Sequence, residues 1–189
     1  KVARILPMAT AAVRQSANKE DILEQVKKAT DLDINLVSEE EEASYGQYAI
    51  THSTAVTDAI TIDIGGGSCE ITYYEDKNMV AYHSFPFGAV SLSKQFFQGK
   101  DHNDSEAIEE VQNYVRKQFK QFDWIKKAKQ PIVAIGGSAR NLANVHQRLI
   151  DYQMAGVHGY SMNEDNIKET LDLFISTDID DMTNIEGLS

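Results

Sequence analysis

Between Asp63 and Glu70 the chain reads Asp-Ile-Gly-Gly-Gly-Ser-Cys-Glu, two carboxylates around three consecutive glycines and a serine. Glycines in a row cost conformational entropy on folding, so they suit a backbone that must take φ > 0 or be approached closely. The N–H groups of Gly65, Gly66 and Gly67 would then face an open concavity of the kind that binds phosphate or another anion. Asp63 beside that concavity is a candidate ligand for Mg2+, which takes one or two carboxylates, several waters and phosphate oxygens. The competing expectation is a glycine-rich hairpin turn without a ligand, since glycine is the default residue of tight turns. A second candidate is Gly136-Gly137-Ser138, which follows the apolar run from Pro131 to Ile135 and leads into a helix beginning near Ala139. The carboxyl end of a strand that meets a helix start can contact an anion or nucleotide, although an ordinary strand-to-helix turn would look the same. A third stretch, Glu39-Glu40-Glu41-Glu42 behind Ser38, forms a capping box through Glu41 and suits the positive end of a helix dipole. By itself it predicts only a well-capped, solvated helix start.

These residues need elements to hold them. Ile60-Thr61-Ile62 reads as a strand into the glycines, and Ile71-Thr72-Tyr73-Tyr74 as a strand out of them. Met79 to His83 adds a third strand, so the middle of the chain is an antiparallel meander. Before it, Val2 to Leu6 reads as a short strand ended by Pro7, and Ala9 to Arg14 as a loop turning into a helix. Asn18 is placed to cap a second helix with Ile22, Leu23, Val26 and Ala29 on one face, and Ile34 to Val37 is a strand. In the helix behind Ser38, the residues Ala43, Tyr45, Gly46, Ala49 and Ile50 make a small apolar face. After the bend at Phe85-Pro86-Phe87-Gly88, a helix from Ala89 to Phe97 is expected to turn Val90, Leu92 and Phe96 inward. Asp104 or Ser105 caps a long amphipathic helix carrying Ala107, Ile108, Val111, Val115, Phe119 and Phe122, and Trp124 is read as core. Pro131 to Ile135 is read as a buried strand without alternation, Asn163 to Phe174 as a helix, and the acidic stretch from Asp178 as an interrupted element. A boundary near 52–57 divides the chain into units 1–55 and 56–189.

With 189 residues and 42% apolar composition the chain can bury a real core, as one large or two small domains. Its net charge of −11 argues against nucleic-acid binding, and no basic run exceeds Lys126-Lys127. A phosphate ligand would therefore have to be attracted by metal and backbone. Cys69 is the single cysteine, so no intramolecular disulfide forms, which fits a reducing cytoplasm. No apolar run approaches the roughly 20 residues that span a bilayer, so no membrane partner is expected. The chain starts at Lys1 rather than Met and reads as a fragment.

Several familiar chemistries find no support. A dinucleotide fingerprint would need glycine where Glu70 stands and a helix where Ile71 to Tyr74 reads as strand, and no Walker lysine follows a glycine pair. The five histidines, His52, His83, His102, His146 and His158, lack zinc-site spacing, and no G-x-S-x-G occurs.

Five stretches, in order and register, resemble the exopolyphosphatase and guanosine pentaphosphate phosphohydrolase family, within the superfamily of actin, sugar kinases and heat-shock chaperone ATPases. Ala9-Thr10-Ala11-Ala12-Val13-Arg14 is similar to that family's A-T-[ST]-A-x-R, and Ser38-Glu39-Glu40-Glu41-Glu42-Ala43 to S-G-x-E-E-A. The segment Ile62 to Glu70 resembles I-D-I-G-G-G-S-T-E, and Phe85 to Val90 resembles L-P-L-G-A-V. Ala134 to Leu142 is similar to G-G-T-A-R-x-L. Glu39 stands in place of Gly, and Cys69 and Ser138 in place of Thr. A further D-x-G-S-N-S phosphate loop that opens the family is absent, so the resemblance implies a first domain that is incomplete and a second that stops near its end.

The resemblance implies an α/β, actin-like (ribonuclease H-like) fold, a mixed sheet flanked by helices in two subdomains. It implies metal-dependent release of the terminal phosphate from polyphosphate, or of the 5′ γ-phosphate from guanosine pentaphosphate, with Mg2+ as cofactor and a cytoplasmic setting. Glu42 matches the base that orients or deprotonates water, Asp63 a metal-associated carboxylate, and Glu70 a second acidic residue serving metal or water. Gly65, Gly66, Gly67 and Ser68 match the terminal-phosphate loop, Arg14 supplies positive charge, and Gly136, Gly137, Ser138 and Arg140 line the substrate path. A homodimeric parent protein, and weak or no turnover by this chain alone, are further expectations. A non-catalytic guanosine tetraphosphate sensor is the rival, disfavoured by retention of Glu42 and Asp63; a sugar or acetate kinase fits the motifs less well.

Overall fold

The computed structural model describes residues 3–154 and 156–188. Its main sheet has four strands: β3 (Ala59–Ile64), β4 (Cys69–Glu75), β5 (Asn78–Phe85) and β6 (Ile132–Ile135), in the order β5-β4-β3-β6. The meander β3-β4-β5 is antiparallel, whereas β6 lies parallel to β3. That mixture follows from connection length, because tight turns join antiparallel neighbours while a parallel partner needs a helical crossover. The crossover here is α4 (Ala89–Phe96), α5 (Ser105–Phe119) and α6 (Asp123–Lys127).

Side chains alternate across each strand, so register decides which ones share a face. On one face Ile60, Cys69, Ile71, Phe85 and Phe87 form a core against Tyr114, Val115, Phe119 and Phe122 of α5 and its end. Phe85 is its hub, with ring centroids 5.1 Å from Phe119, 5.3 Å from Phe87 and 5.5 Å from Phe122. Such pairs are worth about 0.5–1.5 kcal/mol each beyond their buried area. On the other face Ala59 and Tyr74 pack against Ile50, with Val133 and Ile135 around them.

Ile50 belongs to α3 (Glu39–Ser53), whose start is fixed by Ser38. The Ser38 hydroxyl accepts the Glu41 N–H at 3.2 Å, and Glu41 Oε2 accepts the Ser38 N–H at 2.9 Å. Ahead of α3, β1 (Met8–Ala9) pairs in parallel with β2 (Asn35–Leu36), around α1 (Ala11–Arg14) and α2 (Lys19–Thr30). This small pairing sets the starts of α1 and α3 side by side. After β6 come α7 (Gly136–Leu149), α8 (Glu164–Ser176) packed on it, and a 3-10 helix at Ile179–Asn184. No helix among the described residues is long and apolar enough to cross a membrane.

Four local expectations need correction. The strand expected at Val2 to Leu6 falls instead at Met8–Ala9; Ala3 to Leu6 are irregular and Val2 lies outside the described residues. Partner choice decided this, since Pro7 O accepts the Asn35 N–H at 3.0 Å and Ala9 O accepts that of Val37 at 2.9 Å. The strand before Gly136 is an edge rather than a buried strand, with Ile132 70% exposed. Having a neighbour on one side only, it leaves Ile132 and Ala134 uncovered on their face. Val90, Tyr45 and Ala49 are exposed, although apolar spacing had placed them inward. The helix near Ala139 starts earlier, at Gly136 itself.

Candidate functional site

The β3-β4 register sets Asp63 directly opposite Glu70, so both carboxylates stand on the face toward α3. The same row continues to Ser84 on β5 and Ile135 on β6. Glu70 is only 7% exposed and is held by two hydroxyls. Ser84 Oγ donates to Glu70 Oε1 at 2.9 Å, and the Ser68 side chain is a second hydrogen-bond partner. Burial nevertheless pushes the Glu70 carboxyl above its ordinary range; the two hydroxyls oppose that rise, and the charges of Glu42 and Asp63 add to it. Asp63 is raised in the same way, by burial first and then by Glu42, while the charge of Arg140 pulls it down. Glu42 is thus close enough to act on both sheet carboxylates across 21 residues of sequence from Asp63.

Glu42 is itself positioned. Arg14 Nη1 donates to Glu42 Oε2 at 2.9 Å and to Val37 O at 2.8 Å, and Arg14 Nη2 lies 3.9 Å from Glu39 Oε1. Arg14 ends α1 and Glu42 sits in the first turn of α3, so the β1-β2 pairing brings them together. Arg14 Nε and Nη2 are buried and form no hydrogen bond among the described residues. A guanidinium with donors left over fits an anion's oxygens.

The glycine loop is braced from beneath. Gly65 N–H donates to Ser68 O at 3.0 Å, closing the turn, and leaves Gly66 and Gly67 exposed at its tip. The first-turn amides of α4 then carry its carbonyls: Ala89 N–H donates to Gly65 O at 2.9 Å, and Val90 N–H to Gly66 O at 2.9 Å. Ser91 closes the junction, its hydroxyl accepting the Gly88 N–H at 2.7 Å. These helix-terminal donors are therefore engaged by the loop, whose carbonyls they turn away from the tip.

A second backbone approach comes from α7. Gly136 has φ +91, and a Cβ there would lie 2.5 Å from Asp63 Oδ1. Only glycine combines that backbone conformation with so close a neighbour. Ile135, the N-cap of α7, offers no side-chain oxygen, so no side chain caps the first turn at Gly136, Gly137 and Ser138. Arg140, one turn on, is near enough for its charge to reach Asp63.

The residues singled out from the sequence gather accordingly into Arg14 with Glu42, Asp63 with Glu70, the 65–68 loop, and the start of α7. Sequence reasoning passed over Ser84 and Ser91. The alternation of β5 would have marked Ser84 once the meander register was known. Cys69 next to Glu70 points to the opposite face, 1% exposed, and its thiol is pushed up to about 12 by burial.

The whole chain, residues 1–189, matches the Ppx/GppA phosphatase family. A bifunctional 3-dehydroquinate synthase/phosphatase of Fusobacterium nucleatum is 26% identical over 176 residues, which is 90% of this chain and 26% of that protein. Exopolyphosphatase 1 of Mycobacterium tuberculosis is 30% identical over 96 residues, half of this chain and 28% of the relative. The solved structure of the Aquifex aeolicus PPX-GPPA enzyme superposes with a TM-score of 0.81 at 27% identity, covering 100% of this chain and 62% of that one. The chain thus spans about a quarter of the length of these curated relatives. Its mixed sheet flanked by helices is the actin-like fold of those enzymes. With that fold and the family match over its full length, this chain belongs to the Ppx/GppA phosphatases.

Proposed function

We propose that this chain serves an exopolyphosphatase, which hydrolyses the terminal phosphoanhydride bond of inorganic polyphosphate in the cytoplasm with Mg2+ as cofactor. The observation that carries this reading is Glu42, held by Arg14 at 2.9 Å and near enough to Asp63 and Glu70 to raise both. A cross-strand pair of carboxylates at a phosphate-type loop, with Glu42 near enough for its charge to reach them, suits water activation beside a cation.

The donor set fits Mg2+. Asp63 and Glu70 are hard oxygen donors in direct cross-strand register, and their crowding is relieved by a divalent cation. No group of three or more potential metal-ligating side chains gathers among the described residues. Asp63 and Glu70 would hold it, and when bound it supplies neutralising charge to the phosphate oxygens.

The chain's own groups do the rest. The exposed Gly66-Gly67 tip and the uncapped first turn of α7 would receive phosphate oxygens, and Arg14 Nε and Nη2, buried and without a hydrogen-bond partner, are the donors left to meet the anion. Glu42 accepts the proton of a water whose oxygen bonds to the terminal phosphorus. The bridging P–O bond breaks in line, giving phosphate and a chain one unit shorter.

The test is phosphate release by the protein carrying this chain, from polyphosphate and from guanosine pentaphosphate, with Mg2+ present or chelated, and with Glu42→Gln. Faster cleavage of polyphosphate that needs metal and falls by on the order of 10²-fold or more in the variant supports the reading. Preferred cleavage of guanosine pentaphosphate replaces the substrate and keeps the roles. Binding of guanosine tetraphosphate with no turnover of either replaces the enzyme by a sensor.

A further inference from the structure

Arg14 carries one positive charge and faces two carboxylates. Its Nη1 is committed to Glu42 Oε2 at 2.9 Å and to Val37 O at 2.8 Å. Its Nη2 lies 3.9 Å from Glu39 Oε1, beyond hydrogen-bond reach yet close enough for an ion pair. The trio is therefore negative overall before any ligand arrives, which works against the approach of phosphate.

The three side chains differ in how freely they can move. Arg14 is 16% exposed and Glu42 25%, whereas Glu39 is 49% exposed. Arg14 Nε and Nη2 are themselves buried and without a hydrogen-bond partner among the described residues. An anion reaches these donors only after a group beside them shifts. The Nη1 side is held by two short bonds, one of them to buried Val37, and does not open readily. On the Nη2 side the acidic neighbour is Glu39, held by one long, half-exposed contact of a kind that contributes little to stability.

Glu39 also has a favourable place to go. It is the first residue of α3, where the positive end of the helix suits a carboxylate in any outward rotamer. The capping of that helix belongs to Ser38 and Glu41, so a swing of Glu39 leaves the helix start intact. Glu39 is, moreover, the residue that replaces the glycine of the S-G-x-E-E-A pattern, and glycine has no side chain to set beside Nη2.

We propose that Glu39 is a displaceable gate on Arg14, an affinity-determining residue that competes with the phosphate oxygens of the substrate for the guanidinium. Incoming phosphate displaces the Glu39 carboxylate from Nη2, and the carboxylate returns as product phosphate leaves. Glu39 thereby weakens substrate binding and favours product release. The inference rests on the reading above in which Arg14 meets the anion.

The experiment measures, by calorimetry with Mg2+ present, binding of a methylene-bridged triphosphate to the full protein carrying this chain. Its P–C–P links resist hydrolysis, so binding is read without turnover. Glu39→Gln keeps the length of the side chain and removes its charge, and should tighten binding on the order of threefold or more. KM for polyphosphate and the inhibition constant of phosphate should fall with it, without a rise in kcat. Glu40→Gln is the charge-matched control, because Glu40 is exposed in the same helical turn and makes no ion pair among the described residues. Its effect should stay below about twofold, as expected of a screened surface charge. In an Arg14→Gln background, with folding checked by circular dichroism, the gain from Glu39→Gln should vanish. If Arg14→Gln weakens binding but the two glutamate variants act alike, or the Glu39→Gln gain persists without Arg14, the gate is overturned and Arg14 stays the anion's donor. If Arg14→Gln leaves triphosphate binding unchanged, or the unmodified protein shows no saturable binding, the reading of Arg14 falls and the gate with it.

Discussion

Gly88→Ala is the substitution that tests how the phosphate-type loop is held. A Cβ at Gly88 would lie 2.8 Å from both Gly66 C and Ser68 O, and closer still to Gly65 O. All three are backbone atoms of the loop, so no side-chain rotation relieves the contact. Ordinary contact begins near 3.4 Å, which means the loop must recede from the start of α4 by about 0.6 Å at Gly66 C and Ser68 O and by more at Gly65 O. The recession stretches the Ala89 N–H to Gly65 O and Val90 N–H to Gly66 O bonds, both now 2.9 Å. Overpacking typically costs about 1–3 kcal/mol, and a backbone clash belongs at the upper end, about 3 kcal/mol. At about 2–4 °C per kcal/mol for a chain of this size, Tm should fall by about 6–12 °C. The backbone of Gly88 is extended, so the loss reports the clash rather than a forbidden φ. Gly67→Ala is the control, since a Cβ there meets nothing within 4 Å and should leave Tm nearly unchanged. Thermal unfolding followed by circular dichroism decides the matter. Phosphate release should fall in parallel, on the order of tenfold, because a displacement of about 1 Å at a reacting centre costs about 10²-fold. An unchanged Tm in Gly88→Ala, or a larger loss in Gly67→Ala, would refute the bracing role assigned to the start of α4.

The raised carboxyls of Asp63 and Glu70 have a defined sign. Between the ordinary carboxylate value near pH of about 4 and their raised folded-state values, the native protein binds more protons than the unfolded chain, so stability falls as pH rises through that window. Asp63→Asn should flatten this fall and raise Tm at neutral pH, while added Mg2+ should raise the Tm of the unmodified protein and not that of Asp63→Asn; lower Tm in the variant at neutral pH contradicts the account. The Cys69 thiol, 1% exposed and pushed up to about 12, should resist a disulfide reagent at pH of about 8 until the protein unfolds. Rapid labelling of the native protein would show that β4 opens locally.

Much of the site was legible because it is local. Three glycines between β-branched runs dictate a hairpin, and Ser38 with Glu41 dictates a helix start, whatever else the chain does. The order of these pieces was enough for the family resemblance to emerge from the residues. Edge and surface were not legible, for a physical reason. Ile132, Val90 and Ala49 are apolar by type, but their burial depends on whether another element covers them, and composition carries no record of that. The same holds for the strand near the amino end, where Pro7 and Ala9 were selected by the partner Asn35 to Val37 rather than by propensity.

The sequence by itself determined the glycine turn, the capped α3, the meander and the residue types of the site, because each depends on neighbours a few positions apart. Only the tertiary structure decided that Asp63 faces Glu70, that Ser84 holds Glu70, and that Arg14 holds Glu42 across 28 residues. It also decided that Gly136 lies against Asp63 and that Gly88 lies against the loop. Those pairings rest on strand register and helix docking, and a one-residue slip in register would move every carboxylate of the row to the other face.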